Sequence, residues 1–156
     1  MILMEGTDIE VNIPAAAGGS GVECSKGVAE KKIGSTPVLL LPWVGNGINY
    51  TESTGKDVLS GPFTGCIMAV YKRGGARRVC HVATPECKDA WVKVKGETEV
   101  IKEFKPSDHL PDAVVKQLKG GLVILGHVTA DDKCYAVFCE RGKASSTLKV
   151  LKTVAV

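Results

Sequence analysis

Two short apolar runs joined by a glycine-containing link constrain the fold of this chain more than any other feature. Residues 67–71 form the first run and residues 78–83 the second. The link between them, residues 72–77, is basic and contains Gly74-Gly75, which is typical of a turn. Because two strands joined by a short turn pair with each other, this segment predicts an antiparallel β-hairpin.

The predicted hairpin brings a thiol and an imidazole onto one face of the sheet. If the turn is centred near residues 73–74, Cys66 lies directly opposite His81, with Cβ atoms about 5 Å apart. An imidazole at that distance can take the thiol proton, as a Cys–His nucleophilic pair requires. Gly65 leaves room for a substrate carbonyl, and Gly61-Pro62 predicts an irregular turn that aims backbone N–H groups at an oxyanion. The alternative is that both side chains only pack in the core.

The segment around Cys66 resembles the Cys–His deamidase group. This group includes the chemotaxis receptor glutamine deamidase CheD, the catalytic domain of cytotoxic necrotizing factor and Burkholderia lethal factor. Their shared pattern is a hydroxyl residue, a short run ending in a small residue, the nucleophilic cysteine, then a strand and a histidine. Here these positions are occupied by Ser60, Thr64-Gly65, Cys66 and His81. The apolar run of residues 37–43 is also similar to one that ends in Leu-Pro-Trp in the lethal factor.

Two positions depart from the pattern of that group. Ser60 stands where CheD and the lethal factor carry threonine, and Pro62 has no counterpart. The spacing of fifteen residues between Cys66 and His81 matches the necrotizing factor. The resemblance covers about a third of the chain.

The resemblance implies a protein glutamine deamidase that needs no metal and no organic cofactor. Cys66 would attack the carboxamide carbon, His81 would accept the thiol proton, and Ser60 would orient the imidazole ring. The implied fold is α+β, a mostly antiparallel β-sheet or sandwich with few helices, like that of CheD and the necrotizing factor. The implied setting is a bacterial toxin or effector, whose partner is a protein that presents a glutamine side chain.

Two alternatives to the deamidase interpretation stay open. The same Cys–His pair supports transglutamination or peptide-bond cleavage, because an acyl-enzyme can form and decompose in each of these reactions. A non-catalytic protein-interaction module is the second alternative. In that case residues 72–78, which carry four basic side chains, would form the partner surface.

The composition predicts one domain over residues 1–156, with 44% hydrophobic and 24% charged residues. The net charge of +3 is too small to indicate nucleic-acid binding without a focused patch. No apolar run has the length of a membrane-spanning helix, and residues 1–8 lack the basic start of a signal peptide. We expect either an effector secreted without a recognisable signal peptide, acting in the cytoplasm of a target cell, or a protein of the bacterial cytoplasm.

The cysteines predict free thiols more than a disulfide framework or a zinc site. There is no C-x-x-C pair, and the chain is larger than the domains that depend on disulfides. A Cys80–Cys87 bridge stays possible. We expect most of the other thiols to be buried as small hydrophobic groups. The chain contains six cysteines: Cys24, Cys66, Cys80, Cys87, Cys134 and Cys139.

The remaining sequence predicts mostly strands and one clear helix. Apolar periodicity and turn residues place a helix near residues 108–119, and His127 in a later strand is the main alternative base to His81. Trp43 is a candidate wall of the substrate cleft. The predicted elements are strands at 8–13, 37–41, 91–95, 98–104, 122–130, 134–140 and 147–154, and a loop at 45–57 that would rim the site.

Overall fold

The computed structural model of the chain describes residues 3–53, 55–143 and 146–156. Three parts of the sequence-based predictions extend outside the described residues. They are the first two residues of the N-terminal segment, one residue of the 45–57 loop, and two residues before the last strand.

The described residues form twelve strands, numbered β1 to β12 in chain order, and two α-helices. Helix α1 spans Lys88–Glu97, helix α2 spans Asp112–Gln117, and a 3₁₀ helix spans Pro106–His109. This mostly β composition with few helices confirms the predicted α+β class. The strands are Asp8–Glu10, Glu23–Cys24, Ala29–Ile33, Thr36–Leu41, Ile48–Glu52, Asp57–Ser60, Ile67–Arg73, Ala76–Val82, Glu99–Phe104, Leu122–Val128, Cys134–Arg141 and Thr147–Ala155.

The strands form two sheets that pack face to face. The larger sheet has the order β1-β12-β11-β10-β6-β4-β3, and the smaller has the order β2-β5-β8-β7-β9. Among the described strands, only β4–β6 and β2–β5 pair in parallel, and all other neighbours are antiparallel. The last three strands form the predicted meander.

Apolar side chains from both sheets fill the space between them. Because side chains alternate between the two faces of a strand, Val58 points into this layer and Leu59 into a second cluster on the other face of the larger sheet. Helix α1 covers the outer face of the smaller sheet with Trp91 and Val94. Burying a side chain as large as that of Trp91 stabilises the fold by roughly 2–3 kcal/mol. The inter-sheet layer includes Leu41, Val58, Phe63, Cys66, Met68, Val70, Val79, Phe104, Ile124, Val128 and Phe138.

The predicted hairpin exists, and its turn is tighter and lies later than expected. Gly74 and Gly75 both have positive φ, 58° and 83°, and Arg73 pairs with Ala76 across them. Positive φ at both central residues is the conformation of a two-residue turn that matches the twist of the flanking strands. Glycine adopts it without a steric penalty.

This turn changes the register on which the site prediction depended. His81 pairs with Met68, so the predicted pairing of His81 directly with Cys66 is wrong by two residues. Because side chains repeat every two residues, a shift of two keeps each side chain on its original face. The shift therefore leaves Cys66 and His81 on the same side of the smaller sheet, in a diagonal arrangement.

Three other predictions need correction. Residues 91–95 lie in α1 and not in a strand, because Trp91 and Val94 are buried at helical spacing against the smaller sheet. The 45–57 loop contains β5, in which Asn49 and Thr51 are buried and Asn49 is hydrogen-bonded, so the polarity of these residues did not indicate exposure. The helix near 108–119 is divided by Pro111, which disfavours a helical conformation at Leu110.

Candidate active site

His81 lies on β8 at the centre of the inter-sheet layer. Its side chain is fully buried. The imidazole stacks on the ring of Phe63, with centroids 4.1 Å apart and an angle of 12° between the planes. Phe63 is held in turn by its backbone N–H, which donates to the carbonyl of Ile124 at 2.8 Å. The stacking fixes the plane of the ring.

Ser60 sets the protonation of the imidazole from the opposite sheet. Its Oγ donates to the carbonyl oxygen of Leu41 at 2.6 Å and lies 2.8 Å from His81 Nδ1. A serine hydroxyl has one proton, and here Leu41 receives it. Oγ can then only accept from His81, so the hydrogen of the imidazole is on Nδ1 and the free lone pair is on Nε2.

Nε2 of His81 is buried and has no hydrogen-bond partner within the described part of the chain. Burial lowers the pKa of the His81 imidazole to about 3, so the ring is neutral near pH 7. A buried polar atom without a partner costs about 1–3 kcal/mol of stability. Such unpartnered atoms are rare in folded proteins, and one explanation for them is a catalytic role. His81 therefore presents a neutral nitrogen base.

Cys66 lies at the junction of two surface cavities. Its side chain is 8% exposed. One cavity, of about 330 Å³, is lined in part by Trp43 and Pro62. The other, of about 490 Å³, is lined in part by Gly65 and Lys88. Cys66 is thus the point at which a ligand in either cavity meets a thiol.

The structure brings Ser60 and His81 into hydrogen-bond contact, and Cys66 and His81 lie on the same side of the smaller sheet without a hydrogen bond between them. In the described residues, His81 Nε2 has no partner, so the Cys66 thiol does not donate to it. Catalytic hydrogen bonds in ligand-free proteins are often long and tighten when substrate binds. The pairing of Cys66 with His81 as nucleophile and base therefore stays a prediction.

The loop before Cys66 offers unused backbone donors. Within the described residues, the N–H groups of Thr64, Gly65 and Cys66 make no hydrogen bond. Thr84 Oγ1 donates to the carbonyl of Gly65 at 2.8 Å and fixes this loop. Donors that are held in place beside a nucleophile can stabilise an oxyanion.

Gly65 lines the larger cavity together with Cys66, at the position where the sequence predicts room for a substrate carbonyl. A Cβ built at Gly65 would meet no protein atom within 4 Å. This position therefore leaves open space beside the sulfur, where a substrate carbonyl can approach.

Gly126 supports the site from the larger sheet and was missed by the sequence analysis. It pairs with Ser60 in the β6–β10 ladder. A Cβ at this position would overlap Met68 Sδ and lie 3.1 Å from the ring of Phe63. The absence of a side chain therefore makes room for the Phe63 ring that stacks on His81. The signal in the sequence was a lone glycine inside an apolar strand, which often marks a close approach of another group.

Asn49 is a structural residue of the cleft. It lies opposite His81 in the β5–β8 ladder and is fully buried. Its Nδ2 donates to the carbonyls of Pro42 at 2.9 Å and Lys26 at 3.0 Å, and its Oδ1 accepts from the N–H of Lys26 at 2.8 Å. It therefore holds the segment that leads to Trp43, whose ring is 36% exposed and lines the smaller cavity.

The alternative base, His127, belongs to a different part of the protein. Its Nε2 lies 2.9 Å from Oδ2 of Asp57, and both side chains are buried. Its ring packs beside Tyr135, which belongs to the apolar cluster on the far face of the larger sheet. The sheet therefore separates His127 from Cys66.

The cysteines are free thiols, and all six lie within the described residues. Burial raises the pKa of Cys134 to about 11 and that of Cys139 to about 12, and it raises the pKa of Cys80 well above its usual value. These three thiols are therefore protonated at neutral pH. Among the described residues, no group of three or more His, Cys, Asp or Glu side chains is arranged to hold a metal ion.

Comparison of the chain with models of known protein families, with curated proteins and with solved structures found no match. In the part of the chain that the structure describes, neither helix is long and apolar enough to cross a membrane.

Proposed function

We propose that this protein is a cysteine-dependent amidohydrolase that deamidates glutamine side chains of other proteins. The observation that carries the proposal is the state of His81. Ser60 accepts a hydrogen bond from its Nδ1–H, burial keeps the ring neutral, and Nε2 has no partner among the described residues, on the same side of the smaller sheet as Cys66. A histidine with a free Nε2 lone pair, on the same side of the sheet as a cysteine that lines two cavities, supports nucleophilic attack on an amide.

The first half of the reaction forms a thioester and releases ammonia. Cys66 Sγ attacks the carboxamide carbon while its proton moves to His81 Nε2. The oxygen of the tetrahedral intermediate accepts hydrogen bonds from free N–H groups of the loop at residues 64–66. His81 then gives the proton to the amide nitrogen, the C–N bond breaks, and ammonia leaves.

The second half returns the free enzyme. His81 Nε2 takes a proton from water, and the hydroxide formed attacks the thioester carbon. The C–S bond breaks, Cys66 regains its proton from His81, and the product is a glutamate side chain. This sequence needs no redox step and no group beyond those on the chain and water.

Ser60 acts through His81 in this scheme. While the imidazole carries the extra proton, Oγ of Ser60 accepts the Nδ1–H hydrogen bond and Leu41 keeps the hydroxyl oriented. The resemblance to CheD, cytotoxic necrotizing factor and the lethal factor implies that Ser60 orients His81 through its backbone carbonyl or its hydroxyl, and the observed contact uses the hydroxyl. The contact supports assignment to that deamidase group. The resemblance of residues 37–43 to the lethal factor favours a bacterial toxin or effector that acts in a target cell, with the bacterial cytoplasm as the alternative location.

The charges of the basic hairpin argue against the interaction-module alternative. Arg73 Nη2 and Arg78 Nη1 bind the carboxylate of Glu23 at 2.5 and 2.9 Å. Arg77 Nε binds Asp132 Oδ1 at 2.6 Å. Three of the four basic side chains are therefore neutralised within the protein and do not form a free surface for an acidic partner.

The proposal is tested by incubating the purified protein with a lysate of candidate target cells. Conversion of glutamine to glutamate is followed by peptide mass spectrometry, and added methylamine reveals transglutamination as a methylamide. The Cys66→Ser variant must abolish the conversion, and Cys24→Ser, which changes a partly exposed thiol elsewhere, must retain it. Conversion at equal rates with wild type and Cys66→Ser, or none with either, would refute the proposal.

A further inference from the structure

The two cavities that meet at Cys66 differ in chemical character. The smaller is lined by Ile13, Ala15, Trp43, Gly61, Pro62, Thr64, Cys66 and Thr84, and no charged side chain is among these described residues. The larger contains two cations, Lys88 and Lys105. A chain segment that crosses Cys66 would therefore meet an apolar wall on one side and positive charge on the other.

Lys88 and Lys105 are available to bind an anion. Both side chains are exposed, and neither forms a salt bridge or a side-chain hydrogen bond with any residue that the structure describes. The carboxylates of Glu86 and Asp89 are close in sequence to Lys88 and do not line this cavity. Asp108 lines the adjoining cavity together with Lys105. The charged side chains that face Cys66 from this side are thus the two lysines.

Lys88 lies at a position where its positive charge does not stabilise its own helix. Lys88 is the first residue of α1. A cation in the first turn of a helix is unfavourable, because the N-terminal end of a helix carries partial positive charge. The same partial charge adds to the attraction that a bound carboxylate would feel there.

We infer that the substrate presents an acidic side chain beside its reactive glutamine, bound by Lys88 and Lys105, and an apolar side chain on the other side, against Trp43. This inference rests on the proposed function and specifies its substrate class. The acidic group would position the glutamine over Cys66, so its effect is greater on KM than on kcat.

The first test measures the charge preference of the cleft without requiring turnover. Cys66 is modified with an anionic reagent, 2-sulfonatoethyl methanethiosulfonate, and with a cationic one, 2-(trimethylammonio)ethyl methanethiosulfonate. Peptide mass spectrometry identifies Cys66 as the modified residue. The rate with each reagent is divided by the rate of the same reagent with a free thiol in solution. In wild type the ratio of the anionic to the cationic rate should exceed one. Lys88→Glu combined with Lys105→Glu should lower this ratio about fivefold or more at low salt.

A matched variant separates local charge from net charge. Lys93→Glu combined with Lys116→Glu places the same charge change on the exposed surfaces of α1 and α2, at residues that line neither cavity, and should leave the ratio close to that of wild type. Equal ratios in wild type and the Lys88/Lys105 double variant would overturn the inference. Failure of both reagents to reach Cys66 would overturn the inference and the proposed function together.

The second test compares synthetic peptides that contain one glutamine flanked by glutamate, alanine or lysine. We expect kcat/KM to be about tenfold higher with glutamate than with lysine, and the double variant to reverse this order. Deamidation of all three peptides at equal kcat/KM would refute the inference and leave the proposed function intact. If no peptide is deamidated while the charge preference at Cys66 is present, the deamidase proposal fails and the anion-binding cleft remains.

Discussion

Ser60 and His81 join the two sheets through a hydrogen bond of 2.8 Å that assigns the imidazole hydrogen to Nδ1. Ser60 lies on β6 of the larger sheet and His81 on β8 of the smaller sheet. The bond therefore makes the protonation of the base depend on the packing of the sandwich. Any change that removes the hydroxyl oxygen affects the tautomer and the orientation of the ring.

Replacing Ser60 with alanine should lower kcat by about 10–100-fold, the range found when the hydrogen-bond partner that orients a metal-binding histidine is removed. KM should change little, because Ser60 is buried and lines neither cavity at Cys66. Ser60→Thr keeps the hydroxyl and should restore most of the rate, within the limit set by its extra methyl group in a packed layer. Steady-state kinetics with a protein substrate that the enzyme deamidates measure kcat and KM. If the alanine variant raises KM and keeps kcat, the positioning role is wrong.

Replacing Gly126 with alanine should destabilise the protein by about 1–3 kcal/mol and lower activity. The new methyl group would press on Met68 and on the Phe63 ring that stacks on His81. Urea unfolding measures the free energy of unfolding. Gly96→Ala in α1 is the matched control: its Cβ meets no atom within 4 Å, and it should stabilise the helix by up to about 1 kcal/mol. Equal effects of the two substitutions would contradict the packing argument.

The sequence analysis selected three candidate site residues and misplaced the strand pairing of two of them. Cys66, His81 and Ser60 could be chosen because chemistry restricts residue types and because side-chain alternation tolerates a two-residue error in register. The pairing itself depended on the turn, and the tight turn at Gly74-Gly75 moved His81 opposite Met68. The Ser60–His81 contact spans two sheets, and no local pattern specifies which strands of different sheets face each other.

The errors elsewhere have a common physical cause in tertiary packing. Residues 91–95 alternate between apolar and polar side chains like a strand. They form a helix because this conformation buries Trp91 and Val94 against the outer face of the smaller sheet. The polarity of Asn49 favours a loop in a sequence-based prediction. Three hydrogen bonds between its side-chain amide and main-chain groups allow it to be fully buried in β5. Local propensity is a weak guide where packing or hydrogen bonding decides.

The buried neutral imidazole predicts a loss of stability in acid. The folded-state pKa of His81 is about 3, below the value of about 6.5 of an unfolded chain. Between these values the unfolded state binds one more proton, so the free energy of unfolding falls as pH decreases, by about 1.4 kcal/mol per pH unit from this group. The stabilising effect is complete above pH 6.5 and is lost toward pH 3.

Urea titrations at several pH values between 4.5 and 7 measure this dependence. Asp57 and Glu23 have lowered folded-state pKa values, so the stability that they contribute is complete above their unfolded-state pKa values of about 4 and begins to fall only near the lower limit of this range. His81→Gln removes the titrating group and should have a shallower slope, even though its overall stability is lower. The same slope in wild type and variant would show that His81 is not the group responsible.

Thiol labelling distinguishes Cys66 from the structural cysteines. Iodoacetamide should modify Cys66 in the folded protein, because its sulfur lies where two open cavities meet. Cys80 and Cys139 should stay unmodified until urea unfolds the protein, since they are fully buried and burial raises the pKa of each. His81→Ala should slow the labelling of Cys66 by about tenfold or more, because it removes the base that takes the thiol proton. The rate is measured by peptide mass spectrometry, with Cys24 as the internal reference for general accessibility. Unchanged labelling of Cys66 in the His81 variant, with Cys24 also unchanged, would show that the two residues do not act as a pair.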